Sequence, residues 1–351
     1  MAVLFNYLVD VYQSLRGVNS TILTEKDVPG TDLRGKWIII TGSNNGIGLE
    51  AAKSFAGWGA NLIMGCRDPP GWELHPTAAV KECRDIATAH GHSSTIEWWD
   101  VDLTSLESVD AFAERWLATK RPLDILCNNA AISIAPLTAR TGDGFQPVHQ
   151  INYLAHVLIT LRLLPSLARS DEPRIVCTTS CYHHLGFFDL TGQDYGAADG
   201  TGWMGNPYQN NKLFFQMFVA ELQTRLLKHP EYKHITINGV HPGFVASGIW
   251  KPLEATGGKL LDLFLRHIAI TPQQGSLAIT NAATSPELGP DPQTQGVGQP
   301  GGRGGGHYLN RIWVAPSKRH CNEPELRAEL WVHTAKELQL QEKGLLDVLG
   351  L

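Results

Sequence analysis

The sequence predicts a doubly wound α/β fold, a parallel seven-stranded sheet covered by helices on both faces, and three observations carry that expectation. Short runs rich in Ile, Val and Leu alternate with longer helix-patterned stretches. The runs are close to continuously apolar, as strands are when both faces of their sheet are buried. A glycine-rich turn, Thr41-Gly42-Ser43-Asn44-Asn45-Gly46-Ile47-Gly48, leads from the first run straight into a helix.

Taken in order, the expected strands are Trp37–Thr41, Asn61–Cys66, Thr95–Asp100, Ile125–Asn128, Arg174–Thr179, Ile235–Val240 and Tyr308–Val314. Helices are expected near Ile47–Gly57, Thr77–His90, Ser105–Thr119, Phe145–Ala168 and Pro207–His229, with a last one near Glu323–Leu340. Three segments break the rhythm. Residues 185–206 read as a loop bearing glycines and aromatics, 249–284 as one or two short inserted helices, and 285–306 as a loop dense in Gly and Pro. Such variable segments are where a common scaffold acquires its individual function. The organisation is then an N-terminal helical extension (1–32), one sheet domain (33–318) and a C-terminal helical extension (319–351), without internal repeats.

Composition supports one domain with extensions: of 351 residues, 43% are hydrophobic and 18% charged, enough for a sizeable core. A formal net charge of −5 with no clustered Lys and Arg argues against a nucleic-acid partner. Six cysteines without a framework spacing point to a reducing compartment, so a cytoplasmic location is expected. Met1–Val9 is apolar but short and is followed by Asp10, too little for a signal core or a transmembrane span. Leu154–Leu167 comes nearest to a span, yet His156, Arg162 and Pro165 fit a buried helix better. For residues 1–16, packing on the body or a partner and peripheral membrane contact both stay open.

The glycines at 42, 46 and 48 suit a dinucleotide: one for a tight turn, one for close approach to pyrophosphate, one for close helix packing. The helix N-terminus then faces the anion. A plain strand-to-helix loop is the other reading of such a turn, and its place after the first strand of a βαβ unit favours the nucleotide.

The spacing Thr-Gly-x-x-x-Gly-x-Gly resembles that of the short-chain dehydrogenase/reductase family, whose scaffold is the Rossmann fold. The resemblance continues through Asp102-Leu103, Asn128-Asn129-Ala130, Asn152, Ser180, Tyr208-x-x-x-Lys212 and Pro242-Gly243. Gly65-Cys66-Arg67-Asp68, the histidines after Ser180 and Gly306-His307-Tyr308 resemble the retinol-dehydrogenase-like branch. One departure is Ala131, where many members carry glycine.

The resemblance implies cofactor contacts from Gly42, Ser43, Asn44, Asn45, Gly46, Ile47 and Gly48 of the turn, and from Asp102, Leu103, Asn128 and Ala130. It implies that Pro242, Gly243, Val245 and Ser247 hold the nicotinamide amide, with Ser247 where relatives often carry threonine. It further implies that Lys212 holds the ribose hydroxyls and that Asn152 holds a water relaying protons to Lys212; a buried structural amide is the alternative for Asn152. Arg67 stands near the tip of the second strand, where a guanidinium pairs with a 2′-phosphate and selects NADP(H). If Asp68 meets the ribose instead, the cofactor is NAD(H).

Tyr208 and Lys212 lie four residues apart in a helical pattern, so they share one helix face. A free phenol titrates near about 10, too high for a base. A neighbouring ammonium and an oxidised nicotinamide should lower it, making Tyr208 a general acid–base. Ser180 ends the fifth strand, where its hydroxyl can bond the substrate oxygen as charge develops. Thr178 and Thr179 compete for that role, and the resemblance selects Ser180. His183 and His184 are expected at the entrance and His241 beside the cofactor, none as a metal ligand.

Aromatics in the variable segments (Phe187, Phe188, Tyr195, Trp203, Phe244, Trp250, Phe264) suggest a hydrophobic small-molecule substrate, ordinary loop packing being the other reading. The expected function is an NADP(H)-dependent oxidoreductase, a ketoreductase or alcohol dehydrogenase, acting on a retinoid-, steroid- or polyketide-like compound. The alternatives are a redox-neutral step on the same fold (epimerisation, dehydration, rearrangement) or a non-catalytic cofactor sensor. Helices Phe145–Ala168 and Pro207–His229 are the family's dimer faces, so either a homodimer forms or the extensions cover these faces and leave a monomer.

Overall fold

The computed structural model describes residues 2–71, 73–190, 206–250, 268–290 and 304–346. Its centre is a sheet of strands β1 (Trp37–Thr41), β2 (Asn61–Cys66), β3 (Ile96–Asp100), β4 (Ile125–Asn128), β5 (Arg174–Thr178), β6 (Thr236–His241), β7 (Tyr308–Asn310) and β8 (Trp313–Ala315). Their spatial order is β3-β2-β1-β4-β5-β6-β7-β8. All neighbours are parallel except β7 and β8. β1 lies between β2 and β4, with Ile39 opposite Ile63 and Leu126. The strand order therefore reverses there, and ligands of such sheets bind outside the carboxyl ends at that point.

Among the described residues the sheet has eight strands, one more than the sequence suggests, because Tyr308–Val314 folds back on itself. Asn310 pairs with Trp313, and Arg311 between them takes a left-handed φ of 63°. Its buried guanidinium explains the reversal: it donates to the carbonyls of Asn19 and Gln274, both at 2.9 Å. Satisfying those bonds from inside the fold offsets the strain of that φ.

Alternation along each strand feeds two cores. Ile38, Ile40, Leu62 and Met64 face α2 (Gly46–Gly57), α3 (Pro76–Ala89) and α8 (Pro272–Thr284). Ile39, Ile63, Leu126 and Ile175 face α4 (Leu106–Ala118), α6 (Ala155–Leu167) and α7 (Pro207–Lys228). The helix expected over Phe145–Ala168 is broken: a short α5 (Pro147–His149) passes through a π-helical turn, Gln150–Leu154, before α6 begins. α7 opens with Pro207 and a capping box between Asn206 and Gln209, and most of its residues are buried.

That burial is completed by α9 (Pro324–Glu337) from the C-terminal extension. Trp331 stacks on Phe218 with ring centres 6.0 Å apart, and Arg327 pairs with Glu221 at 3.2 Å. The Tyr153 hydroxyl meets Thr334 at 2.7 Å. At the other end of the chain, α1 (Ala2–Arg16) packs against the 3-10 turn Cys181–Leu185. Among the described residues no helix is long and apolar enough to cross a membrane. All six cysteines are buried free thiols.

Candidate active site

A cleft of about 800 Å³ runs along the carboxyl ends of the central strands. Gly42 and Gly46 take φ values of 62° and 57°, which L side chains rarely adopt. A Cβ on Gly48 would stand 2.3 Å from the Gly42 carbonyl oxygen, so only glycine lets the helix start this close to the turn. Asn45 caps α2 without a side-chain hydrogen bond, leaving the first-turn N–H groups unclaimed by a cap and the helix's positive end toward the cleft. Space is open beside Gly46, where the nearest atom to an added Cβ is that of Ser247 at 3.9 Å. This cradle fits a dinucleotide pyrophosphate.

The turn is tied to β4 by Asn129 rather than Asn128. Thr41 Oγ1 accepts from the N–H groups of Asn129 (2.9 Å) and Ala130 (3.1 Å), while Asn129 Nδ2 donates to the Thr41 carbonyl at 2.9 Å. Asn129 lines the cleft; Asn128 turns inward and donates to Thr160 Oγ1 at 2.7 Å. Ser43 also points away, donating to the Ile40 carbonyl at 3.1 Å. The remaining turn residues, Gly42, Asn44, Asn45, Gly46, Ile47 and Gly48, line the cleft together with Ala130, Ala131, Asp102 and Leu103. Asp102 Oδ1 accepts from the Thr104 backbone (2.8 Å) and hydroxyl (2.7 Å), which shapes its own loop.

Arg67 lies at one end of the cleft, half-exposed, and pairs with Glu73 at 3.3 Å. Glu73 lines the same corner and approaches Asn45 Nδ2 at 3.5 Å, a neighbour no motif in the sequence indicates. At the opposite end stand Pro242, Gly243, Val245 and Ser247. Gly243 needs its φ of 88° to turn the chain after β6.

Between the two ends sit Ser180, Tyr208 and Lys212. The first turns of α7 bring Tyr208 and Lys212 onto one face, with Lys212 Nζ 5.5 Å from the Tyr208 ring centre. Lys212 is buried and donates to the Thr178 carbonyl at 2.7 Å. Ser180 lies beside the Tyr208 hydroxyl, and Ser180 Oγ accepts from the Tyr182 N–H at 3.2 Å. Burial raises the Tyr208 phenol above its usual value, with the neighbouring Ser180 hydroxyl opposing it. The lowering expected from Lys212 does not appear in the protein alone, where desolvation dominates. Burial also brings Lys212 itself down to about 7.

A model of the family described as short chain dehydrogenase matches residues 36–257, which include the glycine turn and all three of these side chains. The chain belongs to the short-chain dehydrogenase family. Human retinol dehydrogenase 11 is 33% identical over 261 residues, covering 73% of this chain and 75% of that protein. The WW domain-containing oxidoreductase of Gallus gallus is 33% identical over 338 residues, covering 95% of this chain and 73% of that protein. This family of oxidoreductases is nicotinamide-dependent, and the relatives place the chain in its retinol-dehydrogenase-like branch. Among solved structures, L-sorbose reductase from Gluconobacter frateurii shares the fold with a TM-score of 0.54 at 21% identity, covering 72% of this chain and 91% of that one.

Of the other polar residues the sequence singles out, His241 stands at the cleft as expected, Asn152 takes the form of the buried-amide alternative, and His183 and His184 stand away from it. Asn152 sits in the π-helical turn outside the cleft wall, where it clamps Ile132, accepting from its N–H at 2.9 Å and donating to its carbonyl at 2.8 Å. Both amide atoms are engaged, so the side chain shapes the loop after β4. His183 and His184 lie behind the cleft, fully buried, and not at its entrance; His241 lines it. Of the aromatics, Phe244 lines the cleft, Phe188 packs on Phe214, and Phe187 is exposed. Tyr195, Trp203 and Phe264, with the Trp250 side chain, lie outside the described residues. Ile132, Ile134, Ile151 and Ile249 add apolar surface that the sequence did not flag.

Proposed function

We propose that this chain is an NADP(H)-dependent enzyme interconverting a carbonyl and an alcohol on a hydrophobic small molecule, with Tyr208 as general acid–base. One observation carries the reading: a phenol, a serine hydroxyl and a buried ammonium line the same cleft as a glycine-built anion cradle. The nicotinamide, when bound, gives or takes the hydride. Tyr208 passes a proton between its hydroxyl and the substrate oxygen, Ser180 donates a hydrogen bond to that oxygen as charge grows, and Lys212 keeps positive charge near the phenol. The turn residues 42 and 44–48, with Asp102, Leu103, Ala130, Pro242, Gly243, Val245 and Ser247, would hold the cofactor. Phe244 and the cleft isoleucines support an apolar substrate, the relatives named retinol dehydrogenase among them suggesting an isoprenoid-sized alcohol.

Arg67 supports NADP(H) through its reach to a 2′-phosphate. Glu73 in the same corner supports the second reading, NAD(H), because a carboxylate there accepts from a ribose hydroxyl. Fluorescence titration with NADPH and NADH, followed by a panel of hydrophobic ketones read at the nicotinamide absorbance, tests both. NADPH binding at least tenfold tighter than NADH, with ketone-dependent oxidation, is expected; tighter NADH binding or no turnover overturns the corresponding part.

The cover that α9 lays over α7 supports a monomer, to be read by light scattering. Peripheral membrane contact through α1 is supported by the exposed Leu8, Tyr12 and Leu15 on its outer face. Co-sedimentation with anionic vesicles tests that contact.

A further inference from the structure

The N-terminal extension and the segment after β8 meet behind Ser180. The Ser180 carbonyl accepts from His183 Nδ1–H at 2.6 Å, and His183 Nε2 accepts from the Lys318 backbone N–H at 3.1 Å. A backbone N–H can only donate, so Nε2 is the acceptor and the proton sits on Nδ1. Full burial keeps this imidazole neutral, pulled down to about 3, which maintains that tautomer. Lys318 then reaches back with its side chain: Nζ donates to the His184 carbonyl at 2.7 Å and pairs with Asp10 of α1 at 2.9 Å. Lys318 is only 6% exposed, so its charge is matched inside the fold.

α1 is seated on the same turn by shape. A Cβ on Gly17 would stand 2.2 Å from Cys181 Cβ, the residue after Ser180, so the extension touches this segment directly. The Gly17 carbonyl also accepts from His241 Nε2 at 2.8 Å, bracing the end of β6 beside β5. Because Ser180 Oγ itself accepts from the Tyr182 N–H, the path of the turn and the aim of the hydroxyl are one geometric problem.

We propose that Lys318, its ammonium held by Asp10, is a positioning residue for Ser180, fixing the 181–185 turn so that the serine hydroxyl points at Tyr208 and the substrate oxygen. The assignment rests on the reading of Ser180 as a catalytic residue. It gives the N-terminal extension and the last residue of the sheet domain a shared task in the reaction, carried by an ion pair between residues 308 positions apart. Ser180 acts as charge develops, so a misaimed hydroxyl weakens transition-state stabilisation more than ground-state binding.

The test uses the full chain, with NADPH and a hydrophobic ketone it reduces. Lys318→Met keeps most of the stem and drops the charge; Asp10→Asn removes the counter-charge from the other partner. Each is made alone and with Ser180→Ala, and kcat, KM and the NADPH Kd are measured. Lys318→Met is expected to lower kcat about tenfold with KM and Kd within twofold, which corresponds to roughly one decade of transition-state stabilisation. In the Ser180→Ala background the same change should move kcat less than twofold, because the group it positions is gone. Asp10→Asn should follow the same pattern with a smaller loss, and Asp10→Glu should recover part of it. An equal fold-loss in both backgrounds, or an unchanged kcat, overturns the proposal. If Lys318→Met does not fold, Asp10→Asn decides by the same criteria. A wild-type chain that binds NADPH but reduces no ketone fails on the reading of the site, and this proposal falls with it.

Discussion

The two ends of the cleft are held in different ways. On the β1–β4 side the glycine turn is fixed by its own neighbours in the sheet: Thr41 and Asn129 exchange bonds across adjacent strands, Ser43 returns to Ile40, and Asp102 closes its own loop. On the β5–β6 side the strand ends lean on the N-terminal extension and the segment after β8, through Lys318 and Asp10 behind Ser180 and through Gly17 behind His241. A nucleotide cradle needs only backbone N–H groups and absent side chains, which short turns provide. A proton-transferring pair needs side chains aimed within fractions of an ångström, and that aim comes from packing around them.

The difference can be broken at several strengths. The largest stability effect should come from Trp331→Ala on α9, which removes the ring stacked on Phe218 and under Arg225. A loss of about 3–5 kcal/mol is expected in urea unfolding. Amide exchange should accelerate across 207–228 while 37–66 keeps its protection; uniform loss would mean that the two sides are one cooperative unit.

A smaller effect follows from Lys212. Its folded value lies near 7 against an ordinary 10.5, so between these the unfolded chain carries a proton there that the folded chain lacks. Stability of the cofactor-free protein should therefore rise with pH in that window, by about 1–2 kcal/mol from pH of about 7 to about 8.5. His156, His183 and His241, lowered from 6.5 by burial, have finished titrating below this range, while the buried cysteines, raised from 9.0, oppose the rise only toward its upper end. Lys212→Met should flatten the rise; an unchanged slope would show that the ammonium is better hydrated than its burial implies. The smallest effect belongs to Ser43→Ala in the cradle, about 1 kcal/mol in stability with NADPH affinity within twofold, measured by titration. A tenfold loss of affinity would make Ser43 a cofactor contact after all.

The same division explains what could be read from the sequence. The parallel sheet, the glycine turn and the Tyr208/Lys212 pair follow from periodicity and fixed spacing, both local properties of the chain. The sequence expectation named Asn128, and it is Asn129 that faces the cleft, since which of two adjacent amides does so depends on the register of β4. The break after Asn310 was hidden because its cause is Arg311 reaching residues 19 and 274, and the π-helical turn left the apolar pattern of its helix unchanged. The Asp10–Lys318 pair has no motif at all. Long-range polar contacts of this kind are set by the finished fold and leave no period in the sequence.

The reading of the cleft stands on Tyr208 as the proton donor and acceptor, and one comparison tests it most directly. Single-turnover reduction of a hydrophobic ketone by NADPH, with wild type and Tyr208→Phe side by side and cofactor Kd measured for both, is predicted to show the variant slowed at least about 10³-fold with Kd within twofold. Turnover of Tyr208→Phe within about tenfold of wild type would contradict the account.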